Sequence, residues 1–156
     1  MIKYITVTFI LIAGIIFSCK NKSTTNTSNE FPDQAFLKNA ATGWDAQFNS
    51  RNLAMLTSLY SEDVVSMPSN SPAIHGLQQL QATLKDFYLQ NANVQHQTFV
   101  DEIQAKDNWA LERARYKLTY TPASTGIQET ETGKHVMFRK KLGNRWYIVW
   151  EIWNQD

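Results

Sequence analysis

The sequence predicts an α+β domain in which helices come first and an antiparallel sheet follows. In the first half, apolar residues recur at three- and four-residue steps, the period of a helix face. After Asn93, β-branched and aromatic residues take over and turn residues appear at intervals of about ten. Two of those intervals, Asp107-Asn108 and Gly143-Asn144, are two-residue connections that tolerate positive φ and so close tight hairpins.

Before the domain comes a segment of a different kind. Lys3 is followed by a 13-residue apolar stretch, Ile5 to Phe17, then the small residue Ser18 and the only cysteine, Cys19. This is the order of an export signal ending at a lipoprotein cleavage site, and the stretch is shorter than the roughly 20 residues that span a bilayer. Residues 1–18 are therefore expected to be removed and Cys19 acylated. Removing 18 of the 156 residues leaves 138, enough for one domain with its own core. It also removes Lys3 from the 15 basic residues, leaving 14 against 14 acidic ones. That neutral balance argues against nucleic acid as a partner. An acylated Cys19 leaves no thiol for a disulfide, so packing alone must hold the fold. Residues 19–30 contain a polar run, Lys20 to Asn29, that reads as a flexible tether holding the domain about 15–20 Å from the lipid. Lys20 rather than Asp follows Cys19, which points to the outer membrane of a bacterial cell envelope, facing the periplasm.

The domain, residues 31–156, opens with a helix between Pro32 and Ser50. Its buried stripe is Phe36, Leu37, Ala40, Trp44 and Phe48, and Asp33 is placed to cap its start. A shorter helix is expected from Leu53 to Tyr60, then a brief strand from Val64 to Met67. Pro68 and Pro72 punctuate a loop of small polar residues, of which Asn70 to His75 is a candidate flap. Gly76 precedes a third helix carrying Leu77, Leu80, Leu84 and Phe87. Four strands follow, at about Gln95 to Lys106, Trp109 to Thr121, Lys134 to Leu142 and Arg145 to Asn154, with a longer loop from Pro122 to Gly133.

Alternation along the last strand sets Trp146, Ile148, Trp150 and Ile152 on one face and Tyr147, Val149, Glu151 and Trp153 on the other. Both faces are apolar apart from Glu151, so both need cover. A cavity rimmed by helices on one side and a second copy of the chain on the other satisfies this, and a homodimer through the sheet face is expected.

Several phrases in this order resemble the nuclear transport factor 2-like superfamily, in the SnoaL-like and ketosteroid-isomerase-like branch that includes the domain of unknown function 4440. They are Phe48-Asn49-Ser50-Arg51-Asn52, Leu59 through Val65, Pro72-Ala73-Ile74-His75-Gly76, Gly133-Lys134-His135-Val136, and Trp146 through Asn154. The resemblance implies a curved antiparallel sheet forming a cone-shaped half-barrel, closed by about three N-terminal helices, with a pocket at the wide end and frequent dimerisation through the sheet. It implies no single reaction, because its members include isomerases, hydratases, cyclases, binding proteins and scaffolds.

Chemistry then rests on residues that face such a cone. Trp44, Phe48, Tyr60 and Met67 form an expected apolar wall, joined by Met137 and Trp153 on the later strands. Glu151 and His135 are the candidate acid and base, since a carboxylate and an imidazole in an apolar pocket acquire shifted pKa values and can share proton transfer. Tyr116 and Tyr120 share a face with Leu118 and read as core. Arg139, Lys140 and Lys141 with Arg145 read as a solvated hairpin tip. No cofactor is implied. There is no Gly-rich phosphate loop, and His75, His96 and His135 lack the spacing of metal ligands. The function expected is a lipid-anchored pocket protein for a small apolar or aromatic molecule, with isomerase- or hydratase-like acid/base chemistry open to it. The alternative is a non-catalytic, dimeric interaction or scaffold module.

Overall fold

A computed structural model describes residues 33–156. The expected signal segment, Cys19 and the expected tether of residues 19–30 lie outside the described residues. The architecture is α+β, as expected: a curved, unclosed six-stranded sheet carries helices over its concave face. The elements are α1 (Gln34–Asn49), α2 (Leu53–Thr57), β1 (Tyr60–Met67), β2 (Ile74–His75), α3 (Leu77–Gln90), β3 (Asn91–Lys106), β4 (Trp109–Pro122), β5 (Glu129–Leu142) and β6 (Arg145–Gln155). The sheet order is β2-β1-β6-β5-β4-β3.

The four-strand antiparallel meander β3 to β6 stands where the turn signals place it. Asp107 and Gly143 open its two tight connections with φ of 52° and 64°. The sheet as a whole is mixed, because β1 runs parallel to β6. Hairpin signals name only sequence neighbours, and this pair joins distant segments. The same pairing ends α2 early. The Leu59 carbonyl accepts from Ile148 N–H, so Tyr60 lies in β1 rather than at the end of a helix. The expected flap ends in β2, whose Ile74 and His75 pair with Ser66 and Val65. β5 begins at Glu129, not Lys134, because Gly133 is a sheet residue and not a loop end. A Cβ there would stand 2.3 Å from the Asn154 carbonyl oxygen and 2.5 Å from the Tyr116 hydroxyl. Only glycine lets the Tyr116 ring lie across β5.

Asp33 occupies the N-cap position of α1 without a capping bond. Its carboxylate accepts instead from Lys141 and from Trp146 Nε1–H, tying the helix start to the far end of the sheet. The buried stripe of α1 is Leu37, Ala41, Trp44 and Phe48, whereas Phe36 is exposed. Leu37 packs with Ala110 and Trp146 at one end, and Trp44 and Phe48 pack with Leu56, Tyr60, Val64, Leu80, Met137 and Ile148 at the other.

The simple alternation expected along the last strand fails at one residue. Phe138 pairs with Trp150 and Arg139 with Ile148, so Val149 is an extra residue, a β-bulge. Trp146 and Ile148 therefore share the concave face with Glu151 and Trp153. Trp150 and Ile152 turn to the convex face, 53 % and 49 % exposed. There Trp150 stacks on Phe138 at 5.0 Å and Phe138 on Trp109 at 6.4 Å, an aromatic ladder across three strands. Met67, expected in the pocket wall, pairs with Ile152 and so lies on this same side. Ser66 takes the inward position.

Candidate functional site

The concave face and the helices enclose a cavity of about 140 Å³. Trp44 and Phe48 of α1, Leu80 and Leu84 of α3, and Ile74 of β2 supply apolar walls, with Leu118, Met137 and Trp153 from the sheet. Of the residues expected there, Trp44, Phe48, Tyr60, Met137, Trp153, His135 and Glu151 line it, and Met67 does not. The exposed Thr83 stands at its rim.

Glu151 is 6 % exposed and lies among these apolar side chains. The bulge at Val149 directs it inward. Ser66 Oγ donates to its Oε1 at 2.6 Å and the Tyr60 hydroxyl to its Oε2 at 3.1 Å. Tyr60 in turn accepts from Trp44 Nε1–H at 2.7 Å. Burial pushes the Glu151 pKa above the ordinary carboxylate value, against the opposing pull of those two bonds and of the neighbouring His135 and Arg139. Burial likewise raises Tyr60, helped by the Glu151 charge. The expected acid thus sits in a site that favours its protonated form.

His135 is placed differently from a free base. Its Nε2 bonds Glu112 at 3.2 Å, and Arg139 Nη1 donates to the other Glu112 oxygen at 2.6 Å. Glu112 is 1 % exposed and Arg139 4 %. Burial works to raise the Glu112 pKa, but the bond from His135, the Arg139 charge and the remaining contacts outweigh it and hold it below the usual value. Arg139 therefore does not belong to a solvated hairpin tip. Strand alternation puts it on the concave face with His135 and Met137. Glu112 was legible by the same rule, because Ala110, Glu112, Ala114 and Tyr116 point inward together along β4.

The histidine that the sequence did not single out has the freer geometry. Asp45 of α1 accepts from Thr98 N–H at 2.8 Å and from Thr98 Oγ1 at 2.9 Å, and it bonds His96 Nδ1 at 2.7 Å. A carboxylate only accepts, so Nδ1 carries a proton, and in the neutral form of the ring the lone pair is on Nε2. That atom has no partner among the described residues, and His96 lines the cavity. The ring is fixed by stacking on Tyr116 at 5.5 Å and by edge contacts with Trp44 and Phe48. Asn49 locks the backbone beneath it, accepting from His96 N–H at 2.6 Å and donating to its carbonyl at 2.9 Å. Asp45 and His96 are 51 residues apart in sequence, and no local pattern joins them.

Tyr116 donates to Glu131 at 2.6 Å, and burial and that partner raise its pKa. The cavity is thus apolar and aromatic over most of its wall. Of the titratable groups lining it, Glu131 is engaged by Tyr116 and His135 by Glu112, and Glu151 and His96 are the candidate proton-transfer pair. Among the described residues no three His, Cys, Asp or Glu side chains form a metal-binding group.

No protein-family model and no curated protein sequence matches the chain. Its structure is similar to several solved ones. A ketosteroid isomerase-like protein from Erwinia carotovora atroseptica superposes with a TM-score of 0.73 at 19 % identity, over 80 % of this chain and 97 % of that one. A protein of Novosphingobium aromaticivorans provisionally named a scytalone dehydratase gives 0.70 at 12 % identity, over 80 % and 87 %. A nuclear transport factor 2-like protein of unknown function from Shewanella oneidensis gives 0.64 at 18 % identity, over 78 % and 98 %. The chain has the nuclear transport factor 2-like fold.

Proposed function

We propose that this chain binds a small apolar or aromatic molecule in its cavity and transfers protons there, as a lipid-anchored protein of the bacterial cell envelope. The observation that carries the reading is the pair of proton-transfer groups in an aromatic-walled cavity: His96 braced by Asp45, with Nε2 unbonded among the described residues, and Glu151 buried among Tyr60, Ser66 and Trp153. A cavity of about 140 Å³ is the size that takes one benzene-like ring, far smaller than a fused polycycle. His96 as base and Glu151, whose pKa burial raises, as the acid suit proton abstraction beside a carbonyl, or loss or addition of water. The names of two neighbours, an isomerase-like protein and a provisional dehydratase, are consistent with that chemistry. Anchoring through Cys19 in the outer membrane, and pairing of two copies through the aromatic ladder on the convex face, belong to the same proposal.

Native mass spectrometry of the gently purified full chain tests it. The expected spectrum is a dimer with a small added mass that leaves on denaturation. The indole N–H signal of Trp153, which lines this cavity, is expected to move on titration with benzaldehyde. A chain that carries no added mass and whose Trp153 signal stays still overturns the reading and favours a non-catalytic interaction module.

A further inference from the structure

A second cavity of about 230 Å³ lies on the opposite side of Trp44, between α1, α2 and the start of β6. Ala40, Gly43, Leu59, Trp146 and Ile148 give it apolar walls, and the exposed Phe36 and Met55 stand at its mouth. One charged side chain lines it, Arg139, which is almost wholly buried. A guanidinium has five N–H donors. Among the described residues Nη1 is bonded to Glu112 and Nη2 to the Met137 sulfur at 3.4 Å, which leaves three donors without a protein acceptor. A buried cation with spare donors beside an apolar cavity needs an oxygen acceptor from elsewhere.

The helix wall is also kept open at a cost. Gly43 is inside α1, where alanine would be favoured by about 1 kcal/mol, and a Cβ built there meets nothing within 4 Å. Space is thus available where a larger residue would fit.

We propose that this second cavity is a binding site for a small carboxylate on an apolar body, with Arg139 as its anchor. A planar carboxylate matches the fork of the guanidinium and takes two donors at once, which an alcohol or amide oxygen does less well. The apolar body lies against Trp146 and Ile148 and emerges between Phe36 and Met55. The site is separate from the first cavity, and its two tryptophan reporters differ. Trp146 lines only the second cavity, Trp153 only the first.

Indole N–H signals of the full chain are followed by NMR during titration with hexanoate, hexanamide and 1-hexanol. Hexanoate is expected to move Trp146 saturably and leave Trp153 in place, with hexanamide and hexanol at least tenfold weaker. Arg139→Gln is expected to abolish the preference for the acid. Because that variant strips Glu112 of a buried partner, Gly43→Leu provides a second arm. It leaves Arg139 intact, fills the cavity and is expected to weaken hexanoate at least tenfold, with the benzaldehyde response of Trp153 retained. Equal binding of acid and amide, movement of Trp153 in place of Trp146, or an unchanged affinity in Gly43→Leu overturns the proposal.

Discussion

Tyr60→Phe removes one oxygen that serves two buried partners, and the cost follows from the geometry. The hydroxyl accepts from Trp44 Nε1–H at 2.7 Å and donates to Glu151 at 3.1 Å, and all three residues are buried. Phenylalanine fills the same space, so no cavity is formed. What is lost is the pairing of two groups that water does not reach, at about 1–3 kcal/mol each, or about 2–6 kcal/mol together. Against a total stability of about 5–15 kcal/mol this is a large fraction. With a urea slope of about 2 kcal/mol/M, the unfolding midpoint is expected to fall by about 1–3 M. The loss also depends on pH. The Tyr60 hydroxyl favours the ionised form of Glu151, so its removal raises further a pKa that burial has already raised. Between the unfolded and folded pKa values the native state binds more protons, and stability there falls as pH rises. The deficit of Tyr60→Phe is therefore expected to be larger at about pH 8 than at about pH 5. A midpoint within about 0.3 M of the parent at both pH values would refute the assignment of Tyr60 as a shared donor and acceptor.

Glu151→Gln is expected to flatten the fall in stability from acid to neutral pH. The parent bears a penalty of roughly 1.4 kcal/mol for each unit by which the folded pKa exceeds the unfolded one, absent below both values, and urea midpoints across pH check the slope. An unchanged slope would mean that another group sets it. Gly133→Ala drives a methyl group into the Asn154 carbonyl and the Tyr116 ring, and is expected to cost about 3 kcal/mol or more by thermal or urea unfolding. A change below about 0.5 kcal/mol would show that β5 can shift to accept it. In bacteria fed a labelled fatty acid, the parent chain is expected to carry label and Cys19→Ala to lose it. Label retained by the variant would rule out Cys19 as the anchor.

The helices and the meander were legible because they rest on local chemistry: three- and four-residue spacing in α1 and α3, and Asp107-Asn108 and Gly143-Asn144 at the hairpin tips. Glu151, Trp153, Trp44 and Phe48 could be assigned to the cavity from their positions on those elements. The failures all involve partners distant in sequence. Tyr60 reads as helical until β6 pairs with it. Met67 and Ser66 exchange sides because the strand is set by that same pairing. Arg139 looks like one more basic residue in a hairpin until Glu112, 27 residues away, is seen opposite it. The Asp45–His96 pair joins a helix to a strand and leaves no trace in either segment.

Val149 shows how little separates one binding surface from another. Counting residues, rather than changing their type, decides which side of the wall each side chain meets. Were Val149 drawn into regular pairing instead of bulging, alternation would run unbroken from Trp146, sending the Glu151 carboxylate outward and bringing Trp150 and Ile152 in to plug the cavity. The two halves of β6 can consequently diverge under separate pressures. Substitutions at Glu151 and Trp153 are answerable to what the cavity holds, and those at Trp150 and Ile152 to what touches the outer surface. A protein with this sheet could thus exchange a ligand-binding interior for a sealed one by flattening a single bulge, with no change in composition.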